Sequence, residues 1–188
     1  MQRAIFLITL FSLSIFSCSV EPLENDITLN SIETYQNYDK SLDIPEGDKV
    51  CSRIPLVVEK MKKIVGVIDI SLVNGMIQLD IMAVEGHVLN QTNLEFVNLN
   101  NEYLPMLDNG QPDISAFEII EYHPENLTKV TYFYEDTDLG QNLIHTLVAK
   151  VTVIGPHGKV PSWAYGTKFT NNGYAMYSYI NMGKCRLF

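Results

Sequence analysis

Positive charge is scarce in this chain: 13 Lys and Arg stand against 22 Asp and Glu, a formal net charge of −9. A nucleic-acid backbone needs a basic footprint, so this balance excludes nucleic acid as a partner class. Cysteine is scarce too. The three cysteines show no C-x₂₋₄-C pair, so no single turn offers two thiolates to a metal. Long apolar runs are confined to the first residues. No later stretch approaches the about 20 apolar residues that a spanning helix needs, so the body of the chain is not expected to be an integral membrane protein. Catalytic signatures are missing: there is no G-x-S-x-G elbow, no H-E-x-x-H pair and no glycine-rich phosphate loop. No internal repeat stands out.

What is there begins with MQRAIFLITLFSLSIFSC. Arg3 precedes an uncharged run from Ala4 to Ser17, which fits the apolar region of a secretory signal, about 7–15 residues long. The run ends Ile15-Phe16-Ser17-Cys18, which resembles a bacterial lipobox. The resemblance implies that residues 1–17 are a removable signal peptide and that Cys18 carries lipid. The alternative is an ordinary signal peptide with a coincidental cysteine. With lipid at Cys18, the expected place is the cell envelope, as an outer-membrane lipoprotein on its periplasmic face or at the surface. Acyl chains supply about 0.8 kcal/mol per buried CH₂ and would be the membrane contact. Removing the leader leaves 171 residues (188 − 17), one domain's worth.

Residues 18–49 read as a lipidated end and an acidic tether. Glu21, Glu24, Asp26, Glu33, Asp39, Asp43, Glu46 and Asp48 outweigh scattered apolar residues, a composition that argues against packing. The stretch after Cys18 loosely resembles signals that send lipoproteins to the surface in Bacteroidota. Residues 50–188 read as the folded domain. Val50 to Lys63 is its entry, where Pro55 argues against a helix. Lys60, Lys62 and Lys63 form the basic cluster, expected as an exposed face beside an acidic body.

From Ile64 to Val84, two apolar-rich runs flank Asn74-Gly75, the favoured type I′ turn pair. That turn pairs Val73 with Met76, Leu72 with Ile77, Ile70 with Leu79 and Ile68 with Ile81. The other face then carries Asp69 opposite Asp80 and Ser71 opposite Gln78. Two opposed carboxylates repel; a solvated face with neighbouring lysine is expected, with a cation site as the rival. Further strands are expected at Val88–Asn98, Ala116–Tyr122, Leu127–Tyr134 and Leu143–Ile154, separated by a Leu99–Ser115 loop and turns. In the last of these, His145 falls on the apolar side, as a core residue. Asp136-x-Asp138-x-Gly140 is superficially calcium-like but lacks the further ligands of an EF-hand loop. Trp163 to Ile180 closes the domain, with Tyr177 and Tyr179 sharing a face. The whole predicts an all-β fold, an antiparallel β-sandwich of about eight strands, or a barrel.

Export would put Cys51 and Cys185 in an oxidising compartment, where pairing is the default and two buried free thiols the alternative. Several segments also resemble one family. Cys51-Ser-Arg-Ile-Pro55-Leu56 leads to Val65-Gly66-Val67-Ile68. The chain closes with Trp163-Ala-Tyr-Gly166-Thr-Lys-Phe169 and Tyr174-Ala-Met-Tyr177-Ser-Tyr179. These are similar to an extracytoplasmic β-domain lipoprotein family of Bacteroidota. It tends to show C-x-x-x-P-L, V-G-x-V, W-x-x-G-x-x-F and N-W-A-x-Y-F with a late Cys. Tyr174 departs from it where Trp is usual, and Glu59-Lys60 where a small residue and Gln are common. The resemblance implies a lipid-anchored β-domain of poorly defined function, with a Cys51–Cys185 bridge and no catalytic set to carry over.

Three functions follow as expectations. The first is a noncatalytic envelope lipoprotein acting as an interaction or accessory module, with no cofactor and a protein partner. The second is a glycan-binding module that uses Trp163, Tyr165, Tyr174, Tyr177 and Tyr179 as stacking rings. It requires two or more of them exposed and coplanar. The third is a hydrolase or protease inhibitor, which needs one of His87, His123, His145 or His157 beside a Ser or carboxylate in a cleft.

Overall fold

In the computed structural model, which describes residues 50–58, 60, 62–98, 103–135 and 144–186, Asn74 and Gly75 both adopt positive φ, 51° and 80°. This is the backbone a type I′ turn requires. It joins β2 (Lys63–Val73) to β3 (Met76–Ala83) in the register read from the sequence, with Val73 opposite Met76, Ile70 opposite Leu79 and Asp69 opposite Asp80. Alternation then sends Ile68, Ile70, Ile77, Leu79 and Ile81 into the core, each at most 1% exposed. Burying such a side chain stabilises by about 1.5–3 kcal/mol.

The fold is all-β and antiparallel. Besides β2 and β3, the strands are β1 (Val50–Val58), β4 (Val88–Val97), β5 (Ile119–Tyr122), β6 (Lys129–Glu135), β7 (Ile144–Gly155), β8 (Gly158–Ala164), β9 (Thr167–Lys168) and β10 (Met176–Asn181). A short 3₁₀ helix, Met182–Arg186, follows. Hydrogen bonds connect the strands in one continuous sheet, ordered β5-β4-β7-β8-β1-β2-β3-β6, with β10 paired to β7 and β9. The sheet curls into a half-barrel rather than dividing into two separate layers. All the described residues fall within one unit of the chain, Asp43–Phe188.

The entry segment turns out to be a central strand. β1 lies between β2 and β8, although it contains Pro55, which has no N–H to donate. Two irregularities accommodate it: β1 shifts register against β2 at Val50/Ser52 and Leu56/Val57, and its ladder to β8 is short. The Pro55 carbonyl still accepts a 2.8 Å bond from Tyr165 N.

On β7, Leu147, Ala149, Val151 and Val153 are fully buried in the same core as the β2–β3 aliphatics. His145 is buried, its ring stacked on Phe96 at 5.0 Å and 2°, as expected for a core histidine. Cys51 of β1 and Cys185 of the 3₁₀ helix form a disulfide across a sequence separation of 134 residues, Cα atoms 4.8 Å apart. It ties the last turn of the chain to the first strand of the domain.

The expectation for Asp69 and Asp80 is corrected. Neither carboxylate faces solvent: they are 6% and 7% exposed. They draw cations from the strands on either side. Arg53 of β1 grips Asp69 with two 2.6 Å bonds, from Nε and Nη2. Lys129 of β6 reaches Asp80 at 3.0 Å, while Thr131 Oγ1 and Gln78 Nε2 donate to it at 2.6 and 2.9 Å. Register makes this possible, because Arg53, Asp69, Asp80 and Thr131 form one cross-strand row over four strands. Burial raises the pKa of Asp80, but the hydrogen bonds from Thr131, Lys129 and Gln78 and the Lys129 charge outweigh it, and the net shift is downward.

Candidate functional site

The aromatic residues of the C-terminal segment lie on β8–β10 and their connections. β8 follows a two-residue turn after β7 and places Trp163 opposite Lys150 on one side and Val57 on the other. Trp163 is half-buried, with Lys150 Nζ 5.9 Å from its ring centroid. After Tyr165 the chain doubles back against β10. Gly166 permits that approach: a Cβ there would collide with the Tyr177 carbonyl, and Ser178 Oγ donates to the Tyr165 carbonyl at 2.5 Å.

A tight loop then joins β9 to β10. Phe169 N donates to Ala175 O at 3.1 Å and Gly173 N to Thr170 O at 3.2 Å. Gln111 Nε2, from the 103–118 segment, donates to Thr170 Oγ1 at 2.5 Å and braces the loop from outside. Tyr174 stands on this loop, 50% exposed, with Lys60 Nζ 5.6 Å from its ring centroid.

On β10, Tyr177 and Tyr179 share a face, as alternation requires. Tyr177 meets Phe169 at 4.9 Å and 59°, and Tyr179 at 5.2 Å and 75°. A hydrogen bond with Tyr179, then desolvation, raises the Tyr177 pKa. Tyr179 itself is 62% exposed.

The five rings named from the sequence therefore separate. Tyr174 and Tyr179 are exposed, whereas Trp163, Tyr165 and Tyr177 are half-buried. Tyr177 and Tyr179 meet edge to face, not coplanar. Ile144 lies diagonally across from Tyr179, because Ile144 pairs Asn181 and Thr146 pairs Tyr179; it is 55% exposed. Tyr179 and Ile144 thus share an exposed apolar and phenolic face of β10 and β7, while Tyr174 is exposed separately on the loop before β10.

Sequence reasoning missed a second constellation. Thr92 (β4), His123 (just after β5), Glu121 (β5) and Tyr132 (β6) converge where the two ends of the sheet meet. Thr92 Oγ1 and His123 Nε2 are 2.8 Å apart, and the Tyr132 hydroxyl donates to Glu121 Oε2 at 2.7 Å. His123 Nδ1 lies 3.9 Å from Glu121 Oε1, and the His123 side chain is fully buried. Burial lowers the His123 pKa, against the Glu121 charge, and raises that of Tyr132. Thr92 is 0% exposed, so a substrate has no access to its hydroxyl. The arrangement can hold the seam together. No spacing rule could have found it, since its members come from separate strands at both ends of the sheet order.

Among the described residues, no group of three or more His, Cys, Asp or Glu is placed to hold a metal ion. Cys18, the signal peptide, the acidic tether and the Asp136-x-Asp138-x-Gly140 turn lie outside the described residues. Comparison with protein-family models, curated proteins and solved structures gave no match to this chain.

Proposed function

We propose that this chain is a noncatalytic, lipid-anchored envelope lipoprotein whose β-domain works as an interaction or accessory module. The observation that carries the reading is the exposure of Tyr179 and Ile144 side by side on the paired strands β10 and β7, with Tyr174 exposed on the braced loop before β10. Rings with a wet hydroxyl and an apolar body are the usual anchors of recognition surfaces. The leader ending in Cys18 supports anchoring in the outer membrane, on its periplasmic face or at the cell surface.

Two experiments test this. Labelled palmitate should enter the wild-type protein and not Cys18→Ala; equal labelling overturns the anchor. Protease shaving of intact cells reports the side of the membrane. Loss of the domain supports surface display, and full protection supports a periplasmic accessory role.

Glycan binding is the second reading, favoured by the exposure of Tyr174 and Tyr179 on adjoining elements. Against it, the ring pair on β10, Tyr177 and Tyr179, stands edge to face at 75° rather than coplanar.

A further inference from the structure

We propose that β6 is a self-association edge, on which a second copy of this chain lays its own β6 antiparallel about a two-fold axis at Tyr132. The pairing needs neither the aromatic face of β10 nor the membrane anchor.

Backbone bonding decides which edge of β6 is open. Ala83 N donates to Thr128 O at 2.9 Å, at the start of the ladder between β3 and β6. In an antiparallel ladder, pairs that exchange backbone bonds alternate with pairs that do not. Carried along the register, this parity joins Ile81 to Val130, Leu79 to Tyr132 and Ile77 to Tyr134 through the backbone. The N–H and C=O groups of Lys129, Thr131, Phe133 and Glu135 therefore point away from β3. Among the described residues, no strand pairs with β6 on that side. Natural edges are blunted by Pro, bulges, inward or free charges, or short length. β6 has seven residues, no Pro, no Gly and an unbroken register, and its lysine is drawn toward Asp80.

The edge is complementary to itself. Set two copies of Lys129-Val-Thr-Tyr132-Phe-Tyr-Glu135 antiparallel with Tyr132 opposite the partner's Tyr132. Lys129 then meets the partner's Glu135, and Glu135 meets the partner's Lys129. Unlike charges directly opposite stabilise an antiparallel pair, and like charges oppose it. Thr131 falls opposite the partner's Phe133, so the residues with outward backbone groups pair among themselves and each outward N–H finds a carbonyl. Phe133, 54% exposed, comes diagonal to the partner's Phe133 on the same face, a spacing that aromatic side chains can close. Lys129 can serve both carboxylates, because its side chain is half-exposed and an ammonium has several donors. The other end of the sheet offers no such match. β5 has four residues, a centred antiparallel pair sets Glu121 against Ile120, and Glu121 already accepts from Tyr132.

The test is sedimentation equilibrium of the full-length chain carrying Cys18→Ser, which removes lipid-driven association. A single strand pair is a small interface, so a reversible dimer should appear between about 1 and 300 μM. Glu135→Lys and Lys129→Glu should each weaken the dimer at least about tenfold, since each places like charges opposite one another twice. An equimolar mixture of the two variants should dimerise again, because every lysine then meets a glutamate. Phe133→Pro should also dissociate the dimer, as it removes an N–H on the open edge and leaves the bonds to β3 intact. Circular dichroism should keep the strand signal in all three variants. A monomer throughout the range would overturn the proposal. A dimer that survives Glu135→Lys and Phe133→Pro alike would overturn β6 as its site. A mixture of the charge variants that stays monomeric would overturn the two-fold register.

Discussion

Tyr132 on β6 donates a 2.7 Å hydrogen bond to Glu121 on β5, although these strands stand at opposite ends of the sheet order. The chain between them, residues 123–128, runs across the gap. It is tied by Leu89 N to Leu127 O and by His123 N to Asn90 O on the β4 side, and by Ala83 N to Thr128 O on the β3 side. The half-barrel is therefore fastened along its seam by a few individual bonds in place of a full ladder. Tyr132→Phe removes the link while keeping the ring against the core. It should cost about 0.5–1.5 kcal/mol, measured by urea unfolding.

His123 makes the seam sensitive to acid. Burial lowers its pKa below the ordinary 6.5, so the unfolded chain binds a proton more readily than the folded one. Stability should then fall as pH drops below 6.5 and level off once pH passes the lowered folded value. His123→Gln should flatten that window of a Tm-against-pH curve. Asp80 acts in a separate, lower window. Its folded pKa lies below 3.8, so its contribution is present above 3.8 and is lost as pH falls through the folded value.

Arg53→Ala should be among the most damaging single substitutions in the polar row. It strands Asp69, whose side chain is 8% exposed, without its bidentate partner. Breaking a buried pair from one side costs about 3–5 kcal/mol. Lys129→Ala should cost at most about 1 kcal/mol, because Lys129 is 49% exposed and Asp80 keeps Thr131 and Gln78. Equal losses in denaturant titrations would show that Asp69 and Asp80 depend equally on their cations.

Reduction of Cys51–Cys185, or Cys51→Ser with Cys185→Ser, should lower stability by about 2–5 kcal/mol, since the bridge closes a loop of 134 residues. Nonreducing and reducing gels should differ in mobility, and titration of the unfolded, unreduced Cys18→Ser protein should find no free thiol.

Gly166→Ala should destabilise by about 1–3 kcal/mol, because the added carbon meets backbone of β10 that cannot step aside. Gly75→Ala meets open space and should cost only the left-handed backbone, about 1–2 kcal/mol. Unchanged stability of a Gly166→Ala protein in urea would argue that the close approach has no part in setting Tyr177 and Tyr179.

The sequence alone determined what depends on neighbours in the chain. The turn at Asn74-Gly75 demands positive φ twice, and a period-2 pattern on both sides leaves one register, so the β2–β3 hairpin and its core face were readable residue by residue. The same local logic put His145 in the core and Tyr177 beside Tyr179. Tertiary structure decided whatever depends on which strands become neighbours. Asp69 and Asp80 looked like a solvated pair because their cations, Arg53 and Lys129, arrive from strands that no local pattern assigns to either side. The entry segment became a central strand only because β2 and β8 flank it. Thr92, His123, Glu121 and Tyr132 meet only because the sheet curls until its ends face each other. Alternation tells a side chain which face to take; the order of strands, fixed by the burial of the whole core, tells it what it will find there.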